Sequence, residues 1–440
     1  MRRLASDRVR SASARPAARA GADMYRLIER LYPLCRSITG EGVRETLRIL
    51  SEYVPLSVHE VASGTGAFDW TVPEEWTLRS AYIKNERGEV VVDVRHSNLY
   101  LMGYSEPMRA TLRLAELKEH LHTLPDHPDW IPYRTSYYQR AWGFCLAHRQ
   151  LSAWPNEKYE VVIDSELKAG SLTYGELYLA GEVQDEVLFS TYVCHPSLCN
   201  DNLSGVALTT FLAQQLARWP RRRYSYRFLF VPETIGALVW LGRNEARLPL
   251  IRHGLVVTCV GDRGQMTYKR SRQGAAEIDR AVAKVLDDSG QPHRIVDFFP
   301  AGSDERQYCS PGFDLPVGSL MRTPYGEFPE YHTSADNLEF VSAEHLADSL
   351  ARYLEVVEVL EKNRVYVNQV GKGEPQLGRR GLYDSSPGVR RELAPRMALL
   401  WVLNLSDGRH SLLDIAERSG MTWREVTDAA YVLVEQDLLK

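Results

Sequence analysis

Residues 187–208 read VLFSTYVCHPSLCNDNLSGVAL, and this stretch decides the fold class of the chain. Its first part is apolar and β-branched, as in a buried strand, and the run ends at His195. Asp201 follows just before an apolar pattern of helical spacing. A His at a strand end and an Asp before a helix lie at the carboxyl edge of a sheet, where open α/β folds bind ligands. The pair therefore indicates either a metal or ligand site, or simply a turn His and a helix-capping Asp.

The alternation of strand and helix patterns continues on both sides of this stretch. Apolar runs predict strands at Tyr174–Leu179, Val187–Val193, Tyr224–Val231, Leu255–Val260 and Leu315–Leu320. Helical periodicity predicts helices near 204–218, 234–247 and 274–288, and a long one from Ala343 to Lys362. Strands that alternate with helices predict an α/β fold with a mostly parallel mixed sheet covered by helices on both faces.

Other segments differ from this core, which we assign to residues 23–68 and 167–365. Residues 69–166 hold five of the nine tryptophans and predict an inserted α+β subdomain, with a strand at Glu89–Val94 and a helix at Thr111–Leu121. Its aromatic residues either pack a satellite core or line a substrate cleft. Residues 1–22, rich in Arg, Ala and Ser, predict a disordered tail, and residues 366–392, rich in Gly, Arg and Ser, predict a linker.

The C-terminal residues 393–440 have a winged-helix-like outline. Three short helices are predicted, at Pro395–Leu405, Leu412–Ser419 and Thr422–Gln436. The last helix carries several acidic residues and one arginine, whereas phosphate binding needs Lys and Arg, so this module is expected to contact protein and not DNA.

Composition is that of a soluble globular protein. The 440 residues are 44% hydrophobic with a formal net charge of −4, which gives no reason to expect nucleic acid or a membrane as partner. No apolar run approaches the length of a membrane helix. The six cysteines are sparse and are expected to be reduced thiols in a cytoplasmic protein. A homo-oligomer and a monomer are both left open.

Further polar residues follow the other predicted strands. Glu233 comes just after the strand that ends at Val231, and Asp262 follows the strand that ends at Val260. Asp304 begins a loop, and His332 closes the core before the last long helix. Each alone is weak evidence, but together with His195 and Asp201 they form a constellation of imidazoles and carboxylates, the ligands of catalytic zinc.

The order of these motifs, HPSLCNDNLSG, PETIG, GD, GSDE and HTSADN, resembles the zinc-dependent aminopeptidases of the phosphorylase/hydrolase-like fold. More closely, the chain resembles a bacterial aminopeptidase-like family with an inserted domain and a winged-helix tail, often found with polysaccharide or natural-product biosynthesis. That resemblance covers nearly the whole chain, including LCRSITGEGVRETL near the start and GEPQLGRRGLY before the tail.

The resemblance implies a role for each residue of the constellation. His195 and Asp262 would be terminal ligands of one zinc ion, Asp201 would bridge, and His332 would hold a second site. Glu233 would be the general base that takes a proton from water. These roles depend on the family pattern, because the sequence itself shows only the residue types and their order.

Two departures from the family pattern bear on the metal count. Thr234 stands where the family has a second Glu, so a second ion would lack its carboxylate ligand. The position two residues after His195 is Ser197, whereas the family has an Asp that steadies the histidine. One tightly bound Zn²⁺ is therefore expected in preference to two, with the ligand subset left open.

Charged residues in the loops after the core strands are candidates for substrate binding. A carboxylate or a polar leaving group could be held by Arg306, Lys269, Arg272, Tyr325 and Arg322, and a substrate ammonium by Asp304 and Glu305. Surface solvation or structural pairing is the alternative for each of them. Asp336 is expected to orient His332 or to cap the long helix.

The leading hypothesis is a zinc-dependent, aminopeptidase-like hydrolase. It would cleave an amide bond next to a free amino group in a peptide or an aminoacylated small molecule. The alternative is a non-catalytic, zinc-containing binding or regulatory protein that acts through its winged-helix-like module. A DNA-binding regulator is a third hypothesis, which rests on the helix-turn-helix outline alone.

Overall fold

The structure, a computed structural model, describes residues 19–382 and 393–440. The chain divides into two compact units: an N-terminal unit of residues up to 274 with 294–351, and a C-terminal unit of residues 275–293 and those from 352 onward. Most of the predicted tail (1–22) and part of the predicted linker (366–392) lie outside the described residues. The described end of the tail, residues 19–22, is helical, so the prediction of disorder is wrong there.

The strands are numbered in chain order. They are β1 (Ser57–Ala62), β2 (Gly66–Ala67), β3 (Trp70–Thr71), β4 (Glu75–Lys84), β5 (Val90–Asp93), β6 (Met108–Arg113), β7 (Leu121–His122), β8 (Phe144–Cys145), β9 (Lys158–Lys168), β10 (Ser171–Leu179), β11 (Glu186–Tyr192), β12 (Ser225–Val231), β13 (Ile251–Val257), β14 (Met266–Lys269), β15 (His293–Val296), β16 (Val317–Met321), β17 (Val365–Val367) and β18 (Asp407–Ser411).

The helices are numbered in the same way. They are α1 (19–31), α2 (Glu41–Leu50), α3 (Leu114–Leu117), α4 (His148–Ser152), α5 (Gly205–Ala217), α6 (Ile235–Arg243), α7 (Glu277–Asp288), α8 (Glu305–Tyr308), α9 (Ala343–Lys362), α10 (Leu393–Leu405), α11 (Leu412–Ser419) and α12 (Trp423–Glu435).

The main sheet has the strand order β1-β10-β12-β11-β13-β16-β14-β15. Its centre, β12-β11-β13-β16, is parallel, while β1, β10 and β14 pair antiparallel. Every residue of β11, β12 and β16 is buried, as expected where parallel strands are covered on both faces. The predicted α/β fold with a mixed sheet is therefore confirmed, and its parallel strands end at a common edge.

The segment between β3 and β10 forms a second sheet of its own. This sheet is antiparallel, with the order β5-β4-β9-β6. The predicted helix at Thr111–Leu121 is wrong over its first part, because Met108–Arg113 is a strand whose side chains alternate between half-buried and exposed. No pattern in the sequence predicts the long strands β4 and β9, because their inward residues are spaced irregularly around a bulge.

The C-terminal unit holds a small helical module. Helices α10, α11 and α12 pack together, and β17 pairs antiparallel with β18. Side chains of Ser411 and Thr422 cap the N-termini of α11 and α12, each accepting from a main-chain N–H of the first turn. Residues 275–293 and 352–365, which the sequence assigned to the core, belong to this unit.

Two further expectations concern the cysteines and membrane-spanning helices. All six cysteines lie in the described part, and each is a free thiol. Within residues 19–382 and 393–440, none of the helices is both long and apolar enough to span a bilayer.

Candidate metal centre

Two imidazoles and one carboxylate converge where the parallel strands end. His195 follows β11, Asp201 lies in the turn before α5, and His332 lies in the loop before α9. The distance from Asp201 Oδ2 to His332 Nε2 is 2.9 Å, and to His195 Nε2 it is 3.9 Å. The three candidate ligand atoms all lie within 4.8 Å of one another. The structure thus brings together three of the four predicted metal ligands.

Two of the three candidate ligand atoms form no well-aligned hydrogen bond among the described residues. Asp201 Oδ2 and His332 Nε2 are both buried and lie 2.9 Å from each other, and neither makes a well-aligned hydrogen bond within the described residues. A buried carboxylate oxygen without an aligned donor is costly, and a cation held between the carboxylate and the imidazoles would remove that cost. Three N and O ligands with an open fourth position are the donor set of catalytic zinc sites. The residues present therefore fit a zinc ion.

The protonation states suit metal binding. Burial lowers the pKa of His195 to about 4, so its imidazole is neutral at pH 7. Burial alone would raise the pKa of Asp201, but His195 and His332 outweigh it and bring the value to about 2. A neutral imidazole and an ionised carboxylate are the forms that bind a metal ion.

The Asp201 carboxylate is oriented by neighbours. Its Oδ1 accepts a hydrogen bond from the Tyr192 hydroxyl, which also contacts Thr258 Oγ1 at 2.7 Å. The Asp336 carboxylate accepts the main-chain N–H groups of Asn200 at 2.6 Å and of Asp201 at 2.9 Å. Asp336 therefore fixes the turn that carries Asp201, and in this structure it neither orients His332 nor caps α9.

Asp262 lies outside the cluster. Its Oδ2 accepts from Asn200 Nδ2 at 2.9 Å, and its Oδ1 accepts from Thr323 Oγ1 at 2.7 Å and the Gly264 N–H at 2.6 Å. Within the described residues, it belongs to neither group of side chains close enough to share a metal ion. The predicted strand ended at Val260, but β13 ends at Val257, and the intervening loop directs Asp262 toward Asn200. The geometry thus corrects the expected ligand set and gives Asp262 a supporting role.

Glu233 borders the cluster. Its Oε2 lies 3.8 Å from His195 Nε2, and a quarter of the side chain is exposed. Its main-chain N–H donates to Cys194 Sγ at 3.3 Å. Burial, followed by the charges of Asp304 and Asp201, raises the pKa of Glu233 well above its ordinary value. The carboxylate therefore lies beside the candidate ligands, and its raised pKa makes its ionised form a stronger base toward water.

Asp304, just before α8, and Arg306, within α8, both contact Thr234, the residue after Glu233. The Thr234 N–H donates to Asp304 Oδ1 at 2.7 Å, and Arg306 Nη2 donates to Thr234 Oγ1 at 3.0 Å. Asp304 Oδ2 and Arg306 Nε are buried and have no hydrogen-bond partner among the described residues. Burial, partly offset by the Thr234 N–H, raises the pKa of Asp304 to about 7. One acceptor and one donor are thus available next to Glu233.

The side chains of the other predicted substrate-binding residues form hydrogen bonds or ion pairs within the chain. Lys269 Nζ donates to Glu305 Oε1 at 2.7 Å, to the Tyr325 hydroxyl at 3.0 Å and to the Ala301 carbonyl at 2.6 Å. Arg272 is exposed and pairs with Asp314. These contacts correct the prediction for Lys269, Tyr325 and Arg272, whose polar groups are engaged within the chain. Glu305 Oε1 is engaged in the same way, whereas Glu305 Oε2 is buried and has no hydrogen-bond partner among the described residues.

Arg322 is also used internally, where it pairs with Asp348 at 2.9 Å and donates to the Gly264 carbonyl.

Two tyrosines beside the imidazoles were not singled out from the sequence. The Tyr331 ring stacks on His332 with centroids 3.9 Å apart, and the Tyr133 ring lies 5.1 Å from His332 and 5.3 Å from His195. Tyr331 is adjacent to His332 in the sequence, which was an available signal. Tyr133 comes from the inserted segment, and nothing in the sequence linked it to the site.

Comparison with known proteins places the chain in a family. The family described as "Domain of unknown function (DUF4910)" matches residues 25–363, and a winged helix-turn-helix family matches residues 364–440. This chain is a DUF4910 protein. The predicted winged-helix module at the C-terminus is thereby confirmed.

The DUF4910 protein has relatives of known structure. A Clostridium acetobutylicum protein, provisionally described as a polysaccharide biosynthesis protein with an aminopeptidase-like domain, is 54% identical over 96% of both chains. A crystal structure from that organism, provisionally named a peptidase, has a TM-score of 0.93 and 52% identity over 98% of each chain. A zinc aminopeptidase from Bacillus subtilis has a TM-score of 0.56 at 11% identity, over 77% of this chain and 94% of its own. The fold is that of the zinc aminopeptidases, as the sequence resemblance implied.

Proposed function

We propose that this DUF4910 protein is a zinc-dependent hydrolase of the aminopeptidase type. It would cleave an amide bond next to a free amino group, in a peptide or in an aminoacylated small molecule of polysaccharide or natural-product biosynthesis. The observation that carries the proposal is the convergence of His195, Asp201 and His332 beside Glu233. Within the described residues, Asp201 Oδ2 and His332 Nε2 make no well-aligned hydrogen bond.

The three ligands would hold one zinc ion. When bound, zinc supplies Lewis acidity at the scissile carbonyl and makes a neighbouring water more acidic. The second group of side chains that could share an ion, Cys194 with His195 and Glu233, reuses His195. Burial also raises the pKa of the Cys194 thiol well above its ordinary value, which disfavours the thiolate that a second ion would need. A single ion therefore agrees best with the donor set.

Glu233 would move the proton. Its carboxylate borders the ligand cluster, so it can accept a proton from water and return it to the leaving amine. The unpartnered Asp304 Oδ2 can accept a hydrogen bond from the substrate ammonium, and Arg306 Nε can donate to a substrate oxygen. These two groups, placed on the Thr234 turn, would orient the free amino end of the substrate toward Glu233.

Substitution of Glu233 by Gln tests the proposal. We expect Glu233→Gln to retain one zinc ion per chain and to hydrolyse aminoacyl p-nitroanilides about 10²- to 10⁴-fold more slowly, because general base catalysis is lost while the ligands remain. Zinc content and initial rates measure the two effects. Glu245→Gln, an exposed position after α6, is the control and should match the unsubstituted protein.

Two results would contradict this function. Unchanged hydrolysis by Glu233→Gln with zinc bound would remove the proposed base. The unsubstituted protein could also bind zinc and yet hydrolyse none of the aminoacyl p-nitroanilides. That result would favour the non-catalytic binding or regulatory alternative.

A further inference from the structure

The inserted subdomain reaches the candidate metal centre through one segment, residues 131–136. We infer that this segment is part of the active site and that the Tyr133 ring positions the imidazoles of His195 and His332. The inference rests on the proposed zinc site, because it assigns Tyr133 a role toward two of its ligands. The proposal thereby adds a positioning residue to the site. This residue lies in the inserted subdomain, which comes before all three proposed ligands in the chain.

Main-chain hydrogen bonds join the segment to the loop that carries His332. The Tyr133 N–H donates to the His332 carbonyl at 2.8 Å, and the Ser334 N–H donates to the Ile131 carbonyl at 2.8 Å. A third bond runs from the Ile131 N–H to Ser334 Oγ at 2.9 Å. His332 and Ser334, which flank Thr333, are therefore tied to the inserted segment, as neighbouring strands of a sheet would be.

The conformation of His332 makes this attachment important. Its φ is +56°, in the left-handed region that residues other than glycine seldom adopt. Such a conformation is unfavourable and persists only where the surroundings hold it. The hydrogen bond from Tyr133 to the His332 carbonyl is one of the contacts that do so.

The Tyr133 ring contacts both imidazoles. Its centroid lies 5.3 Å from that of His195 and 5.1 Å from that of His332, edge-on to the latter at 87°. The two imidazole centroids are themselves 5.3 Å apart, so the three rings form a nearly equilateral triangle. The Tyr133 hydroxyl is 3.0 Å from that of Tyr137 and is engaged there. The ring is therefore the part of Tyr133 that fixes the orientation of the two ligands.

The far side of the segment is anchored within the inserted subdomain. The Gly103 N–H donates to the Arg134 carbonyl at 2.9 Å, and the Ser136 N–H donates to the Gly103 carbonyl at 2.9 Å. Ser136 Oγ also donates to the Tyr104 carbonyl at 3.1 Å. The inserted subdomain thus holds residues 131–136 in place, and these residues in turn hold His332.

Zinc affinity of the full-length protein tests the inference without any assay of hydrolysis. Loss of a group that orients metal ligands costs about 10- to 100-fold in metal affinity. We expect Tyr133→Leu to bind Zn²⁺ about 10- to 100-fold more weakly in competition with a chromophoric chelator. Tyr133→Phe, which keeps the ring, should remain within about threefold of the unsubstituted protein.

Controls separate positioning from general damage to the fold. Tyr138→Leu changes an exposed ring that packs against Trp70, two residues beyond the segment, and should leave affinity unchanged. Circular dichroism and thermal unfolding establish that each variant folds. Ser334→Ala removes only the acceptor of the Ile131 N–H and should weaken Zn²⁺ binding about threefold to tenfold, so it carries the test if Tyr133→Leu does not fold.

The possible failures are distinguishable. Folded Tyr133→Leu and Ser334→Ala that bind Zn²⁺ as tightly as the unsubstituted protein would overturn the inference and leave the proposed zinc site intact. A large loss in Tyr133→Phe would assign the effect to the hydroxyl and would also overturn it. Absence of Zn²⁺ binding by the unsubstituted protein would overturn the proposed metal site and, with it, this inference.

Discussion

Two buried ionisable clusters of the N-terminal unit look alike in the sequence and differ in the structure. His195, Asp201 and His332 form one, and Lys269 and Glu305 with Tyr325 form the other. Both are built from polar residues in or next to core strands. Each has a buried carboxylate oxygen that makes no hydrogen bond among the described residues, Asp201 Oδ2 in the first and Glu305 Oε2 in the second. In the second, however, the carboxylate already has a cation, because Lys269 donates to Glu305 and to two further oxygens.

This difference separates a site from a structural element. A buried charge that is fully hydrogen-bonded has no remaining capacity for a ligand, and removal of one partner mainly destabilises the fold. Glu305 already has the Lys269 ammonium beside it, whereas the Asp201 carboxylate has imidazoles beside it, so a bound cation would remove a cost of burial in the first cluster. The comparison therefore predicts that substitutions in the first cluster change metal binding, and that substitutions in the second change stability.

The largest effect is expected for Asp201→Asn. The amide keeps an oxygen for the Tyr192 hydroxyl but loses the charge at the position of Oδ2, so Zn²⁺ binding should weaken at least about 1,000-fold, more than for an outer-shell change. Equilibrium chelator competition measures the affinity. Urea unfolding of the metal-free protein measures what the contact between Asp201 and His332 contributes to stability, so that the loss of affinity can be compared with it.

Asp262→Asn is the informative control for this prediction. Asp262 accepts hydrogen bonds from Asn200 and Thr323 and is not close enough to share the ion, so its loss should cost at most about tenfold in affinity. A loss as large as that of Asp201→Asn would show that Asp262 is a ligand after all.

The second effect is expected for Lys269→Met. This substitution leaves Glu305 buried with only the Tyr325 hydroxyl on its Oε1, and breaking such a pair costs about 3–5 kcal/mol of unfolding free energy. Urea unfolding measures the loss, and the folded fraction should still bind one zinc ion. Arg272→Met breaks only an exposed pair with Asp314 and should cost less than about 1 kcal/mol. Undiminished stability with loss of hydrolysis would make Lys269 a substrate-binding group and would remove the distinction between the clusters.

The smallest effect concerns His253, a buried imidazole outside both clusters. Neither of its ring nitrogens has a hydrogen-bond partner in the described part of the chain, and burial lowers its pKa to about 3. Between pH 6.5 and 3 the unfolded chain binds a proton that the native state does not, so stability is retained above pH 6.5 and falls as pH decreases. At pH 5 the expected loss is about 2 kcal/mol.

His253→Phe should remove this part of the acid sensitivity. Urea unfolding of the metal-free protein at pH 7.5 and at pH 5 should show a difference that is smaller in the variant by about 2 kcal/mol. His127→Phe, at an exposed position, should leave the difference unchanged. Equal acid sensitivity in His253→Phe and the unsubstituted protein would contradict the buried, neutral state of His253.

Much of the core could be predicted from the sequence because its strands are apolar throughout. The runs around β11 and β12 are buried on both faces, so hydrophobicity alone located them to within about two residues. The inserted subdomain was less predictable, since β6 has only half-buried inward positions and was mistaken for the start of a helix. A strand that is packed on one face leaves a weaker pattern than one covered on both.

The sequence by itself determined the α/β core, the winged-helix tail and the residue types at the strand ends, because these follow from local periodicity and motif order. Only the tertiary structure decided which of those residues meet. Asp262 turned toward Asn200, Lys269 toward Glu305, and Tyr133 came from the inserted segment to contact two imidazoles. Loop paths and hydrogen-bond satisfaction depend on contacts between residues far apart in the chain, which no local pattern records.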